Sequence, residues 1–310
     1  MAKILVSWST AYDNIMLTKT DLKEHLVEKN MWKINISYII EELKKQNWWT
    51  WANIAFNIAL LDSESILLTS VWKDYEFSDF FKETVDLNYV YKSPTKLTSR
   101  SYITTDSKES QITAFYSWAM DEACDIKFLK DDFVNYGIVA PNNINIMKKH
   151  LKLFKESWVK TFFDPGQQIT QMTKQDLEDC FKYSDFIILN EYEYEVIKKQ
   201  AEKTDEEMIS WFEKMILTYW VKWSKIFDKN YNIIEVEWVE NPDFVDAIWA
   251  WDAYRAWLLK WLTDWYDWLT SARIWAVLAS LSTQSHWAQN YYIDWKQFKI
   301  LYEQTFWDEL

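Results

Sequence analysis

The sequence predicts an α/β fold: a mostly parallel central sheet covered by helices on both faces, with a small antiparallel β lid. Short apolar runs alternate with helical patterns over most of the chain, the βαβα rhythm of a parallel sheet with crossover helices. Those runs are continuous rather than alternating, as strands buried on both faces are. Two other segments switch to a period of two, which reads as half-exposed antiparallel strands.

Taken in order, residues 3–7 form the first strand, and residues 12–40 the first lid segment. Residues 51–61 are helical, placing Ile54, Ala55, Ile58 and Ala59 on one face. A strand at 65–70 follows, then the second lid segment at 99–119, with Arg-Ser-Tyr-Ile-Thr-Thr and Gln-Ile-Thr-Ala-Phe-Tyr. Strands at 136–140, 161–164 and 185–189 alternate with helices at 142–156 and 173–183, both with polar starts. The final third holds two helices, 250–260 and 269–282. With no tandem repeat and no Pro-rich or Ser-rich linker, residues 1–310 read as a single domain into which lid segments of about 12–40 and 99–119 are inserted.

Composition narrows the function classes. An apolar share of 49% supports a sizeable core. No uncharged apolar run of eighteen or more residues is present that would span a bilayer, so no membrane partner is expected. The N-terminal run reads as a strand rather than a signal segment, which makes the cytoplasm the expected location. A formal charge of −13 argues against a nucleic-acid partner, because such proteins gather Lys and Arg on one face. Cys124 and Cys180 lack metal-like spacing and read as buried thiols.

Glycine is the anomaly. A chain of this length ordinarily carries roughly 22 glycines. This one has 2 glycines and 22 tryptophans. Tryptophan falls where a side-chain-free residue is wanted. Trp48, Trp49 and Trp51 crowd a polar turn before a helix, Trp220 and Trp223 bracket an expected hairpin turn, and Trp265 and Trp268 flank a helix end. These positions point to a gene that uses UGA for glycine, translated as if UGA meant tryptophan. A genuinely Trp-rich protein is the alternative, and UGG codons at the 22 positions would favour it.

The strongest chemical signal runs from Val245 to Leu259. With glycine at Trp249, Trp251 and Trp257 it reads V-D-A-I-G-A-G-D-A-Y-R-A-G-L-L, a glycine turn entering a helix with Asp252 in its first turn. Backbone amides at such an entry, here those of Trp249, Ala250 and Trp251, form an anion hole. An aspartate beside it is placed to take a proton from a hydroxyl during phosphoryl transfer. Alone, an acid at a helix start is more often a cap.

This segment resembles the second signature, D-T-x-G-A-G-D, of the ribokinase-like (PfkB) small-molecule kinases. The resemblance covers nearly the whole chain and implies a ribokinase-like three-layer sandwich. By it, Asp252 is the catalytic base and Asp246 the first aspartate, while Ala247 departs from the usual threonine. Residues 47–55 are similar to the first signature, G-G-T-G-A-N-I-A, which makes Trp48, Trp49 and Asn53 substrate-binding positions. Asp13 matches the aspartate that accepts hydrogen bonds from sugar hydroxyls. Asn190 and Glu193 match N-x-x-E, so Asn190 lies on the nucleotide side, and Glu193 and Asp246 are the carboxylates implied for Mg²⁺. Residues 218–224 resemble T-x-G-x-x-G-S, which implies that Thr218, Trp220 and Trp223 line the nucleotide. Residues 164–168 and 114–120 resemble the adenosine-kinase-like branch in particular.

The resemblance therefore implies an ATP- and Mg²⁺-dependent kinase acting on a primary hydroxyl of an adenosine-like nucleoside, with ribose- or fructose-type sugars next. Its lid would exclude water, and its oligomeric state stays open between monomer and homodimer. No G-x-x-x-x-G-K-[ST] loop exists even with glycine restored, which excludes a P-loop kinase. A different class, a non-enzymatic carbohydrate-binding protein whose tryptophans stack on sugar rings, fits less well, because the tryptophans sit in turns and helix entries. Side chains at 48, 49, 249 and 251 would fill the substrate and phosphate spaces, so the chain as written is expected to be an incompetent kinase.

Overall fold

A computed structural model describes residues 3–22, 37–46, 50–108, 110–128, 133–219, 223–237, 239, 250–284 and 292–307. The N-terminal half contains strands β1 (Lys3–Ser7), β2 (Ala11–Thr18) and β3 (Glu42–Gln46), helix α1 (Thr50–Ala59), β4 (Glu64–Trp72), α2 (Asp79–Thr84), β5 (Val85–Asp86), β6 (Val90–Ser93), β7 (Ser99–Asp106) and β8 (Gln111–Tyr116). After a 3-10 helix at Trp118–Asp125 come β9 (Val134–Val139), α3 (Ile144–Glu156) and β10 (Lys160–Phe163). A second 3-10 helix, Gly166–Gln171, precedes α4 (Lys174–Lys182), β11 (Phe186–Asn190), α5 (Glu191–Ala201), α6 (Asp205–Trp211) and β12 (Lys214–Tyr219). The chain closes with β13 (Trp223–Asp228), β14 (Ile233–Glu237), α7 (Ala250–Thr263), α8 (Trp268–Ser282) and α9 (Trp295–Phe306).

The main sheet has the order β14-β13-β12-β11-β10-β9-β1-β4-β5, with β6 also on β4. From β12 to β5 all pairings are parallel, and β13 and β14 add an antiparallel edge. The pleat of β1 divides the core. Ile4 and Val6 join the cluster beneath α1, α7 and α8, while Leu5 joins the cluster containing Met147, Leu151 and Phe154 of α3. Helices thus cover both faces, giving the expected three-layer sandwich.

Local chemistry sets the helix starts. Asn143 caps α3 by accepting from the amide of Asn145, and Ile146, Met147, Leu151 and Phe154 then fall on one buried face. Capping boxes open α4 (Thr173 with Asp176), α5 (Asn190 with Glu193) and α6 (Thr204 with Glu207). Asp267 and Asp294 cap α8 and α9. Helix α9 was not anticipated from sequence, which indicated two helices in the final third.

The second sheet has the order β3-β2-β7-β8; β2, β7 and β8 fall in the two segments read from sequence as a lid, while β3 lies beyond the end of the first. Its outer pairings are antiparallel, while β2 and β7 run parallel. Residues 23–36 of the first lid segment lie outside the described residues. Asp74, just beyond β4, ties this sheet down: it accepts from Arg100 Nη2 at 2.8 Å, and its carbonyl accepts from the Tyr12 hydroxyl at 2.6 Å.

Both glycines sit where a side chain would not fit. A Cβ on Gly137 would lie 2.8 Å from Phe154 Cε2 and 2.9 Å from the Leu5 carbonyl oxygen, and Gly166 holds φ +49° against Pro141. Three tryptophans share that left-handed backbone: Trp158 (φ 63°), Trp265 (φ 70°) and Trp307 (φ 54°). Each is highly exposed, at 83%, 83% and 91%. Elsewhere the indoles are crowded. The Tyr254 and Trp275 rings lie 3.4 Å apart between centroids, and the buried indole nitrogens of Trp261 and Trp275 find no hydrogen-bond partner among the described residues. Trp257 differs: it is fully buried, and its indole N–H donates to the Asn57 carbonyl at 3.3 Å.

Candidate active site

Ligands of open α/β sheets bind beyond the carboxyl ends of the parallel strands, and the motif residues gather there. Asn190 ends β11 and is the register partner of Thr218, near the end of β12. Asp164 follows β10 directly, its amide donating to the Val139 carbonyl of β9 at 2.9 Å. Beyond β1 the chain enters β2, where Asp13 pairs with Ser101 of β7 and Gln46 of β3. Gln46 leads through residues 47–49 into α1, which carries Asn53.

The centre of the arrangement is a contact between two distant segments. Asn53 Nδ2 donates to Asp252 Oδ2 at 2.7 Å across 199 positions of sequence. Asn53 is fully buried, and its backbone carbonyl accepts from Asn57 Nδ2 at 2.6 Å, which locks its turn of α1. Asp252 is the third residue of α7 and 7% exposed. Burial pushes its carboxyl up to about 6, against the pull of Arg255 and the Asn53 hydrogen bond. A carboxylate with that proton affinity is ionised at neutral pH yet basic enough to accept a proton. Ala250 and Trp251 form the first turn of α7 with it, so their amides belong to a helix N-terminus and carry its partial positive charge.

Burial pushes Asp13 up to about 6 as well, with a Ser101 hydrogen bond opposing the rise. Glu193 is buried and raised to about 7, by burial first and by the neighbouring charge of Asp164 second. Asn190 and Glu193 close the capping box of α5: Asn190 Oδ1 accepts from the Glu193 amide at 2.8 Å, and Glu193 Oε2 accepts from the Asn190 amide at 2.9 Å. The N-x-x-E spacing therefore has a structural use whatever else it does. Thr218 Oγ1 donates to the Leu189 carbonyl at 3.3 Å. Trp223 opens β13 opposite Tyr219, so residues 220–222 connect the two strands of the expected hairpin.

Trp48, Trp49, Trp220, Asp246 and Trp249 lie outside the described residues. Among the described residues no group of three or more His, Cys, Asp or Glu is arranged to hold a metal ion. Cys180 is a buried free thiol, as expected.

One member of the cluster was not singled out from sequence. Arg255, one turn after Asp252 on α7, donates from Nε to Asp164 Oδ2 and places Nη1 3.8 Å from Asp252 Oδ1. Burial alone would lower its proton affinity, but the carboxylates of Asp164 and Asp252 raise it, which keeps the guanidinium charged. The i,i+3 spacing of Asp252 and Arg255 was the available signal.

Residues 51–295 match the pfkB family carbohydrate kinase. A nucleoside kinase from Methanocaldococcus jannaschii is 26% identical over 276 residues, covering 84% of this chain and 87% of that protein. Among solved structures, the Burkholderia thailandensis nucleoside kinase in complex with inosine superposes with a TM-score of 0.84 at 23% identity, over 99% of both chains. Arabidopsis thaliana ribokinase complexed with ribose and ATP gives a TM-score of 0.76 at 16% identity, covering 97% of this chain and 99% of that one.

Proposed function

Because the chain belongs to the pfkB family of carbohydrate kinases, we propose that it transfers the terminal phosphoryl group of ATP to a primary hydroxyl of a ribonucleoside, adenosine or inosine before free sugars. The observation that carries the chemistry is the Asn53 to Asp252 hydrogen bond at the start of α7, which brings the two signature segments into one buried site. Nucleosides are favoured because the nucleoside kinases noted above share both the sequence over most of the chain and the fold. Family membership makes the chain an enzyme and sets aside the non-enzymatic sugar-binding alternative.

In this reading Asp252 accepts the hydroxyl proton through Oδ1, since Asn53 occupies Oδ2. Amides of residues 249–252 stabilise the transferring charge from the helix N-terminus. Asp13 receives the sugar hydroxyls, with residues 48 and 49 supplying bare backbone as the first signature implies, and the small sheet that carries Asp13 limits water. Asn190, Thr218 and residues 220–223 line the nucleotide. A hard cation is supported by Glu193, a buried carboxylate whose raised proton affinity a cation would reverse; Asp246, which the second signature implies as the other oxygen donor, would complete the pair. Mg²⁺ held there would screen the nucleotide phosphates.

The working enzyme, we further propose, carries glycine at the tryptophan positions. Support comes from the left-handed backbone at Trp158, Trp265 and Trp307 and from the buried indole nitrogens of Trp261 and Trp275, which find no hydrogen-bond partner among the described residues. Well-satisfied Trp257 runs against it at that one position. Peptide mass spectrometry over residues 241–255 of the native protein decides the matter: glycine at 249 and 251 is the expected result, and tryptophan at both ends the idea.

A further inference from the structure

Three carboxylates act on Arg255, each from a different element: Asp252 on its own helix, Asp164 at the end of β10, and Glu193 at the start of α5. Asp164 is fully buried, and its Oδ1 has no hydrogen-bond partner among the described residues. Its other oxygen accepts from Arg255 Nε, across 91 positions of sequence. A buried carboxylate with one oxygen unsatisfied depends on that single ion pair, because removing either partner strands the other charge. The far end of a flexible side chain is thereby pinned.

What the pinned guanidinium presents to Asp252 is a charge rather than a hydrogen bond. Nη1 stands 3.8 Å from Oδ1, beyond hydrogen-bond range, whereas Asn53 grips Oδ2 at 2.7 Å. A donor bonded to Oδ1 would take one of its two lone pairs and lower the basicity of the oxygen that meets the substrate proton. A cation set back from it favours the ionised carboxylate and leaves the oxygen accessible. Asn53, from α1, is neutral, so Arg255, Asp164 and, through Arg255, Glu193 are the charged groups among the described residues that reach Asp252.

We propose that Arg255, anchored by Asp164, is a positioning residue for Asp252: it stabilises the charged carboxylate from beyond hydrogen-bond range and leaves Oδ1 as the oxygen that receives the proton. This rests on the reading of Asp252 as the base.

The test is a carboxyl ¹³C NMR titration of aspartate-labelled full-length protein, with D252N identifying the Asp252 resonance. R255Q is expected to raise the Asp252 midpoint by about one pH unit, and R255K, which keeps the charge, to restore most of it. Should R255Q fail to fold, the double variant D164N/R255Q removes both buried charges and is expected to show the same upward direction. In the chain bearing glycine at 48, 49, 249 and 251, R255Q should lower kcat at least tenfold while KM for ATP and nucleoside stays within about twofold. An Asp252 midpoint that does not move in R255Q or the double variant overturns the inference. D252N turning over at the full rate would instead remove the base itself, a different failure with a different signature.

Discussion

Replacing Asp252 with asparagine separates what the carboxylate does for catalysis from what it costs the fold. The side chain is 7% exposed, and burial raises its proton affinity from the ordinary 3.8 to about 6, even with Arg255 and Asn53 favouring the charged form. That rise corresponds to about 3 kcal/mol by which folding disfavours the ionised group. The sign follows from which state binds protons more tightly. Here it is the folded state, so the contribution to stability is fully present below the unfolded value near 3.8 and is lost as pH rises through about 6. The substituted amide is neutral at every pH and keeps an oxygen for Asn53. D252N is therefore expected to be more stable than the parent by about 1 to 3 kcal/mol at pH 8, with the difference vanishing near pH 4. In the glycine-bearing chain it should lose roughly 10² to 10⁴ in kcat. Urea denaturation at the two pH values and steady-state ATP turnover read both effects. A variant that is destabilised at pH 8, or that retains the full rate, refutes the reasoning.

Removing the partner amide should act in the same place: Asn53→Ala takes away the hydrogen bond to ionised Asp252, lowering kcat by about tenfold to a hundredfold and moving the acid limb of the kcat/KM profile upward. In the chain bearing glycine at 48, 49, 249 and 251 that limb should lie near pH 6, because protonated Asp252 no longer takes up the hydroxyl proton and protonated Asp13 loses the charge that strengthens its hydrogen bonds to the sugar; a rate unchanged down to pH 4.5 would contradict the assignment. Trp265→Gly should stabilise the chain by about 1 kcal/mol in urea denaturation, since the backbone is left-handed and the indole is 83% exposed with little packing to lose. The same change at Trp257, which is fully buried, should cost several times that amount if tryptophan is native there.

Strands β1, β4, β9, β10 and β11 were legible because a strand buried on both faces is a continuous apolar run, as in Phe-Ile-Ile-Leu of β11. Strand β3 was hidden because Glu-Leu-Lys-Lys-Gln is mostly polar and is held by its register with β2. Alternation located β7 and β8 and placed β2 within a longer segment but carries no sign of direction, and the parallel pairing of β2 with β7 came only with the fold. Helices α5 and α6 were not read from sequence, because they sit in a stretch dense with acids; their capping boxes came with the fold. Within the site, Asp252, Asn53, Asp13 and Asn190 stood out through motif spacing. Arg255 did not, although its i,i+3 spacing from Asp252 was there to read, and its ion pair with Asp164 left no local pattern because the two residues are 91 apart.

The central claim is that Asp252 activates a nucleoside hydroxyl for phosphorylation by ATP. Its most direct test is product analysis after incubating the chain bearing glycine at 48, 49, 249 and 251 with ATP, Mg²⁺ and, separately, adenosine, inosine, other nucleosides and ribose. A nucleoside monophosphate and ADP in equal amounts, with kcat/KM for the preferred nucleoside above that for ribose and product lost in D252N, is the predicted result. Ribose phosphorylated in preference to every nucleoside, or product formed as fast without the Asp252 carboxylate, would contradict it.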